Sequence, residues 1–464
     1  MIMKRQNRVA FFNILSVVLL NGISLITAPL FSRILGDSGF GILKSYNIWV
    51  SVAAILFTLQ TEGTLVNARV EYPEDAQRQY QSATMGLSMV VFLVCSTVVL
   101  LFIGPLSDLL LLEPVLILLL LLQAFGTYCV NFLSTKYTYE FKAGRNMVIS
   151  LVVTIVTLVL SLLLILPLPY ESRYFGRILA ISATYGAVGI PACFLILRQG
   201  KKLYHKAYWK FCIALAIPAV FHNLSDLLLS QSDLMMLRYM LGDGEAGRYG
   251  LAWQFGNFLF IIFGALNRTW CPFFFDEMKQ GKREAMMDKT RNFLELFTVL
   301  ACGFILLAPE VYHIYGPKEY WDSTMLIPLF VCSYYLNFLC TFPVNYEYYH
   351  KKTKVVAAVT ISCSLVNVVL NYVLINAIGM AGAALATMLS HGLQLMLHHV
   401  YTRFILGKGD YPFPMGLWAK YGLAFLAVMA VVYLNEDRGL LRWAMGACIG
   451  IVELREIKKR KVLI

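Results

Sequence analysis

Residues 9–31 read VAFFNILSVVLLNGISLITAPLF, an uncharged, largely apolar run of 23 residues entered from Lys4, Arg5 and Arg8. A helix rises 1.5 Å per residue, so about 20 apolar residues cross a hydrocarbon core about 30 Å thick. The run is longer than the apolar region of a signal peptide and lacks an Ala-x-Ala-type cleavage site, so it is expected to remain as a first span. Similar runs recur at 85–106, 148–167 and 355–375. Read in this way the chain carries about 14 spans, at 9–32, 40–66, 82–105, 114–135, 146–168, 178–197, 209–239, 246–272, 290–309, 323–346, 355–376, 380–404, 415–434 and 439–454. The connectors are too short to fold as separate soluble domains. Composition agrees: 59% of the 464 residues are hydrophobic and 14% are charged, against about 25% charged in an average soluble domain. The expected fold class is an all-α integral membrane protein.

The basic residues test the topology, because cytoplasmic connectors are enriched in Lys and Arg. With the N-terminus inside, the inner segments hold 29 of the 39 Lys and Arg residues. Among these are Arg78, Lys201, Lys282, Lys352, Lys408 and the tail residues Lys458, Lys459, Arg460 and Lys461. The outer segments hold eight: Arg33, Arg173, Arg177, Arg238, Arg248, Lys318, Arg438 and Arg442. Lys44 and Arg268, well inside spans and assigned to neither side, complete the 39. The expected arrangement places both termini in the cytoplasm. It accounts for the net charge of +12 without nucleic acid as a partner, and sets the basic tail against anionic lipid.

The ten cysteines are scattered singly, for example Cys95, Cys129, Cys302 and Cys363, with no C-x-x-C pair. They read as small apolar packing residues. The seven histidines show no metal-ligand spacing; the adjacent His398 and His399 point about 100° apart on a helix. No Walker A loop is present for a nucleotide, and no Ser-His-Asp or paired-carboxylate arrangement stands in the connectors. Neither a metal nor a cofactor is expected, and no enzymatic activity.

The chain also repeats itself. Leu35-Gly36-Asp37-Ser38-Gly39-Phe40-Gly41 recurs as Leu241-Gly242-Asp243-Gly244-Glu245-Ala246-Gly247 at an offset of 206, and Tyr139-Glu140-Phe141 as Tyr346-Glu347-Tyr348 at 207. The first pair lies in an outer loop and the second at an inner span end, at corresponding places in two six-span sets. The expectation is a duplicated bundle, 1–206 and 207–405, followed by two additional spans and a basic tail at 406–464. Six is even, so the copies form a parallel repeat about the membrane normal.

Five stretches carry a resemblance: TAPLFSRILGDSGFG at 27–41, LLLSQSDLMMLRYMLGDGEAGRYGLAW at 227–253, LAPEVYHIYGPKEYW at 307–321, NYEYYHKKTK at 345–354 and IGMAGAALAT at 378–387. In order, and over nearly the whole chain, they resemble the polysaccharide-transport, or oligosaccharide flippase, branch of the MATE-like exporter superfamily. That resemblance implies a V-shaped, two-lobed transporter with a central cavity in a bacterial cytoplasmic membrane. It implies alternating access that carries a polyprenyl-diphosphate-linked glycan, of the O-antigen or capsule repeat-unit type, from the inner to the outer leaflet. The partners implied are that lipid-linked glycan, the bilayer, and a glycan polymerase or chain-length regulator.

A charged side chain at a helix centre costs about 2.5–3.5 kcal/mol on insertion scales, so charges inside spans should face protein or water. In the seventh span His222, Asp226, Ser230 and Asp233 fall within about 80° of arc. They allow two readings: a polar cluster bonded to a neighbouring helix, or a coupling site in which His222 and Asp226 share a proton. Glu62 is a further acid within a span. Thr360, Ser364, Asn367 and Asn371 of the eleventh span share one face and read as interhelical polar bonding. Arg33, Lys44, Arg238 and Arg248 flank the repeated loop, and Arg268 lies within the eighth span. A diphosphate in a low-dielectric cavity needs cationic donors, and arginine offers a bidentate fork, so these five are the candidate substrate residues. The competing readings are snorkelling of Arg33, Arg238 and Arg248 to the outer interface, and pairing of Arg268 with a buried acid such as Glu62 or Glu295. Two other functions stay in view. A multidrug or cation antiporter of the same superfamily commonly carries an acid in its first span, and 9–32 has none. A membrane glycan polymerase or ligase usually needs a sizeable outer loop, and no outer segment here much exceeds a dozen residues.

Overall fold

A computed structural model describes the backbone of residues 2–140, 142–281, 283–407, 411–413, 415–435 and 438–460. Within these it describes the side chains apart from those of 2–22, 24, 25, 143, 229, 265, 269, 283–285, 415, 417, 453, 454 and 456–460. The side chains of Lys4, Arg5, Arg8 and Arg283, together with Phe141, Lys282, Lys408 and the tail residues Lys458, Lys459, Arg460 and Lys461, therefore lie outside the described residues.

The chain is all helix, with no strand among the described residues. In order the helices are α1 (Ile2–Thr58), α2 (Leu65–Glu71), α3 (Glu74–Leu101), α4 (Ile103–Leu110), α5 (Pro114–Tyr139), α6 (Ala143–Ile165), α7 (Arg173–Gly200) and α8 (Lys206–Leu241). They continue as α9 (Asp243–Gln280), α10 (Arg283–Tyr315), α11 (Ile327–Tyr349), α12 (Thr353–Ile378), α13 (Met380–Val400), α14 (Met415–Leu434) and α15 (Gly439–Arg460). Eleven helices among the described residues are long and apolar enough to cross a membrane, by length and composition. Trp418–Leu434 and Gly439–Val452 are shorter apolar helices, and the first expected span is the N-terminal half of α1.

A straight helix with the 57 residues of α1 would be about 86 Å long, far more than one bilayer. Its backbone leaves the helical region at Gly36, with φ 70° and ψ 179°, conformational space that is essentially reserved for glycine. Two spans therefore meet there, as the sequence predicts. The second ends at Thr58, short of the expected residue 66, and a 3-10 turn over Thr61–Thr64 follows. The repeat motif behaves alike: Gly242, φ 108° and ψ 178°, separates α8 from α9.

The contacts divide the chain into two compact units, Met1–Gln231 and Ser232–Ile464. The division falls inside α8 instead of at 206/207. In unit 1, α5 and α7 approach at backbone distance. A Cβ on Gly126 would lie 2.5 Å from the Tyr185 carbonyl, and one on Gly189 would lie 2.5 Å from the carbonyl of Gly126. Small residues of this kind join helices where lipid removes the hydrophobic driving force. α6 shows its two environments plainly. Val148, Val152, Ile155, Val159 and Leu163 are exposed, while Val153, Thr157 and Ser161 are buried. An exposed aliphatic stripe of this length is a liability in water and is matched by lipid.

Unit 2 is held by rings. Trp270 stacks on Phe293 at 5.2 Å, Phe297 lies 4.2 Å from Phe338, and Phe338 meets Phe342 edge-on at 5.5 Å. Each such pair contributes about 0.5–1.5 kcal/mol beyond area burial. The last two helices dock on α10. Tyr421 Oη donates to Glu295 at 3.0 Å, and Arg442, expected in an outer segment, is buried and ion-paired with Glu310. The turns after α5 and α11 share one geometry. Lys142 N donates to Tyr137 O at 2.8 Å and Lys352 N to Glu347 O at 2.9 Å, with the lysines at φ −106°, ψ 43° and φ −90°, ψ 41°. These turns correspond at an offset of 210, so the Tyr-Glu pairs matched at 207 stand three residues out of register.

Candidate functional site

The candidate cations at the two glycine breaks differ in what surrounds them. After Gly242, Asp243 and Glu245 occupy the first turn of α9, where acids complement the helix dipole. They also hold the arginines. Arg238, buried, pairs with Asp243, and Arg248 pairs with Glu245 at 2.8 Å and with Asp322. Both guanidiniums are engaged by carboxylates of their own unit. Around Gly36, Arg33 is exposed and donates to the Pro29 carbonyl at 3.3 Å. Lys44 is half-buried with Nζ 5.1 Å from the Phe40 ring centre. Arg268 is exposed on α9 and forms no ion pair among the described residues.

The seventh-span cluster is divided by the fold. His222 Nε2 and Asp226 Oδ2 stand 3.5 Å apart, with side chains 71% and 55% exposed, whereas Asp233 is buried in unit 2. Asp233 accepts from the Leu234 amide at 2.8 Å and from the Tyr249 hydroxyl. Beside it Ser232 Oγ bonds Asn367 Oδ1 at 3.4 Å, Asn371 donates to the same oxygen at 3.0 Å, and Asn367 reaches Thr387 Oγ1 at 3.5 Å. Asn367 and Asn371 are fully buried, tying α12 to α8 and α13 as interhelical polar bonding requires. One carboxylate among amide and hydroxyl oxygens can hold a proton or a hard cation. No group of three His, Cys, Asp or Glu residues stands together among the described residues.

Sequence reading missed two places. Arg177, counted as an outer-loop charge, lies one turn inside α7 and faces a cavity of about 400 Å³ in unit 1. α1 supplies Asn47 and Ser51 to its wall, α5 supplies Gln123 and Thr127, α6 supplies Thr154 and Thr157, and Tyr185 stands two turns beyond Arg177. A chain of hydrogen bonds fixes the wall: Tyr46 Oη to Ser182 Oγ at 3.0 Å, Ser182 to Gln123 Oε1 at 3.1 Å, and Gln123 Nε2 to Asn47 Oδ1 at 3.4 Å. Each helix carries its polar pair at a spacing of three, four or eight. That signal was available, but the convergence of four helices depends on packing.

The second place is a buried pair at the end of α11. Glu347 Oε1 and His398 Nδ1 are 2.8 Å apart, and both side chains are 0% exposed. Glu347 Oε2 and His398 Nε2 are buried without partners among the described residues. A π-helical turn, Tyr401–Leu406, follows directly. Glu62 lies beyond the span in the Thr61–Thr64 turn, where burial pushes its carboxyl up from 4.5 to about 7.

A model of the family described as "Polysaccharide biosynthesis protein" matches residues 8–278. An "Uncharacterized membrane protein" of Haemophilus influenzae is 24% identical over 353 residues, covering 73% of this chain and 82% of its own. "Lsg locus putative protein 1" of the same organism is 23% identical over 354 residues, covering 73% and 84%. Among solved structures, the lipid II flippase MurJ in an inward closed conformation superposes with a TM-score of 0.69 at 16% identity, covering 98% of this chain and all of that one. An inward-facing multidrug resistance MATE family transporter of the MOP superfamily gives 0.67 at 11% identity, covering 84% and 95%. The fold of the chain is that of these transporters.

Proposed function

This chain belongs to the polysaccharide biosynthesis protein family, and from that premise we propose that it is a flippase for a polyprenyl-diphosphate-linked oligosaccharide. It works by alternating access in the cytoplasmic membrane, with both termini in the cytoplasm, in the export of a cell-surface polysaccharide such as an O-antigen or capsule. The observation that carries the reading is Arg268. An exposed guanidinium inside a membrane-spanning helix, without an ion pair among the described residues, is expensive in lipid. It is stabilised where water and an anionic headgroup reach it, and a diphosphate matches its fork. Arg33 and Lys44 are the corresponding cationic candidates of unit 1. Arg238 and Arg248 shape the turn at Gly242 instead, since carboxylates already engage them. Asp233 and its amide shell, with His222 and Asp226, are the coupling candidates. The cation-antiporter reading is less favoured, because among the described residues the cavity wall of unit 1 holds an arginine and no carboxylate.

The test is transfer of a fluorescent polyprenyl-diphosphate-linked oligosaccharide across vesicles that contain the purified chain. Protein-dependent transfer is expected, and a rate equal to that of empty vesicles would sink the proposal. Arg268→Ala should abolish transfer at near-normal membrane abundance. Arg268→Lys should keep part of it, because lysine retains charge without the bidentate geometry. Normal transfer in Arg268→Ala removes the residue from the mechanism.

A further inference from the structure

We infer that the cavity inside unit 1 is a binding site for an oxyanion, with Arg177 as its charged anchor. The inference stands on this unit alone and does not depend on what the protein transports. Among the described residues Arg177 is the only charged one that lines the cavity, and it has no carboxylate partner there. Its contacts are neutral: Nη1 donates to the Ser161 hydroxyl and to the Thr157 carbonyl at 3.4 Å, and the guanidinium lies over the Phe31 ring at 3.9 Å. Its Nε is buried without a partner among the described residues. An unneutralised charge inside a membrane protein carries a large desolvation penalty, and a bound anion offsets it.

The wall supplies what an oxyanion needs besides charge. Asn47 uses its side-chain oxygen to accept from Gln123 at 3.4 Å, which leaves its amide hydrogens uncommitted among the described residues. Thr127 and Tyr185 line the same space, and their hydroxyls likewise have no hydrogen-bond partner among the described residues. A guanidinium fork with three uncommitted neutral donors recognises carboxylate or phosphate oxygens and repels cations. A volume of about 400 Å³ takes a phosphate-sized group and its waters, and is too small for an oligosaccharide. The shared chemistry is therefore a phosphate group, whether free in solution or at the head of a polyprenyl lipid.

The experiment follows the thermal unfolding midpoint of the full chain in nanodiscs of neutral lipid. One arm titrates inorganic phosphate against chloride at matched ionic strength, and the other places polyprenyl phosphate in the disc. A saturable rise in either arm is expected for the unaltered chain: the first identifies free phosphate as ligand, the second a lipid headgroup. Arg177→Gln should lose the rise while keeping or raising its midpoint without ligand, because a buried charge is gone. Thr127→Met, which fills the cavity and leaves Arg177 in place, should lose the rise as well, and carries the test if Arg177→Gln does not fold. A flat response of the unaltered chain in both arms overturns the site. So does an equal rise in Thr127→Met, which would mark an adventitious surface effect only.

Discussion

At the scale of single residues, two buried acids make sharp predictions. The turn that holds Glu62 is pinned by neutral hydroxyls. Thr61 bonds Ser88 and Tyr128, each at 2.7 Å, and Thr64 bonds Tyr80 at 2.7 Å. Glu62 Oε2 is buried without a partner among the described residues, and desolvation disfavours its charged form. The folded chain therefore binds more protons at this site than the unfolded chain between pH 4.5 and about 7, and stability falls as pH rises through that window. Glu62→Gln should flatten the decline and leave the protein more stable at pH 8, by at most about 3 kcal/mol. Thermal midpoints measured from pH 5 to 8 check this, and identical slopes in the two proteins would refute it. Glu347 poses the complementary case, since it has a partner. Glu347→Ala orphans His398 in a fully buried site and should cost about 3–5 kcal/mol. Glu347→Gln keeps a hydrogen-bonding oxygen and should cost less than half of that. Equal losses of membrane abundance in the two variants would show that the pairing is not what matters there.

At the scale of elements, the glycine breaks are where the sequence speaks most directly. Leu-Gly-Asp at 35–37 and 241–243 predicts a break between spans, and Gly36 and Gly242 both take φ and ψ values that only glycine tolerates. Alanine at either should cost about 1–3 kcal/mol for the backbone alone. Gly36→Ala should be the worse of the two. Its Cβ would collide with the Tyr170 hydroxyl, whereas at Gly242 the nearest neighbour, Glu245 Oε2, is 3.8 Å away. Gly104→Ala, in α4 with nothing within 4 Å, is the control and should be neutral or slightly stabilising. A thermal midpoint for Gly36→Ala equal to that of Gly104→Ala would contradict the strain argument. The paired breaks, and the matching turns at Lys142 and Lys352, support the proposal of a duplicated bundle, 1–206 and 207–405. Arg177 shows where such reading ends. Apolar run length starts the sixth span at 178, one residue past the arginine, and so assigns it to a loop. Helix α7 begins at Arg173 and carries Arg177 inward. Run length detects lipid-facing stretches, while a polar wall contributed by Asn47, Gln123, Thr154 and Arg177 is spread over 131 positions of sequence.

At the scale of the whole molecule, the proposed orientation rests on where the charges lie. Three of the eight basic residues assigned to the outer side are enclosed within a unit. Arg177 lines a cavity in unit 1, Arg238 is buried against Asp243, and Arg442 is buried against Glu310. Lys and Arg act on topology from short connectors, where they resist translocation, so an enclosed side chain drops out of the comparison. Lys136, buried on the inner side, drops out as well, and five then stand outside against 28 inside, the same bias. The prediction is that single cysteines placed at Gly244, Lys318 and Asn435 react in intact cells with a membrane-impermeant thiol reagent, and that cysteines at Arg78 and Lys201 react only after permeabilisation. Gly36 is left out of the set because a side chain there strains the backbone. The experiment needs a background in which Cys448, the exposed native thiol, is replaced by serine; Cys95 and Cys271 are partly covered, and the remaining seven native cysteines are buried. Labelling of Lys201→Cys in intact cells would reverse the orientation throughout. A helix count wrong by one would instead invert only the positions on one side of the error. The pattern across the five sites therefore distinguishes a reversed protein from a miscounted one.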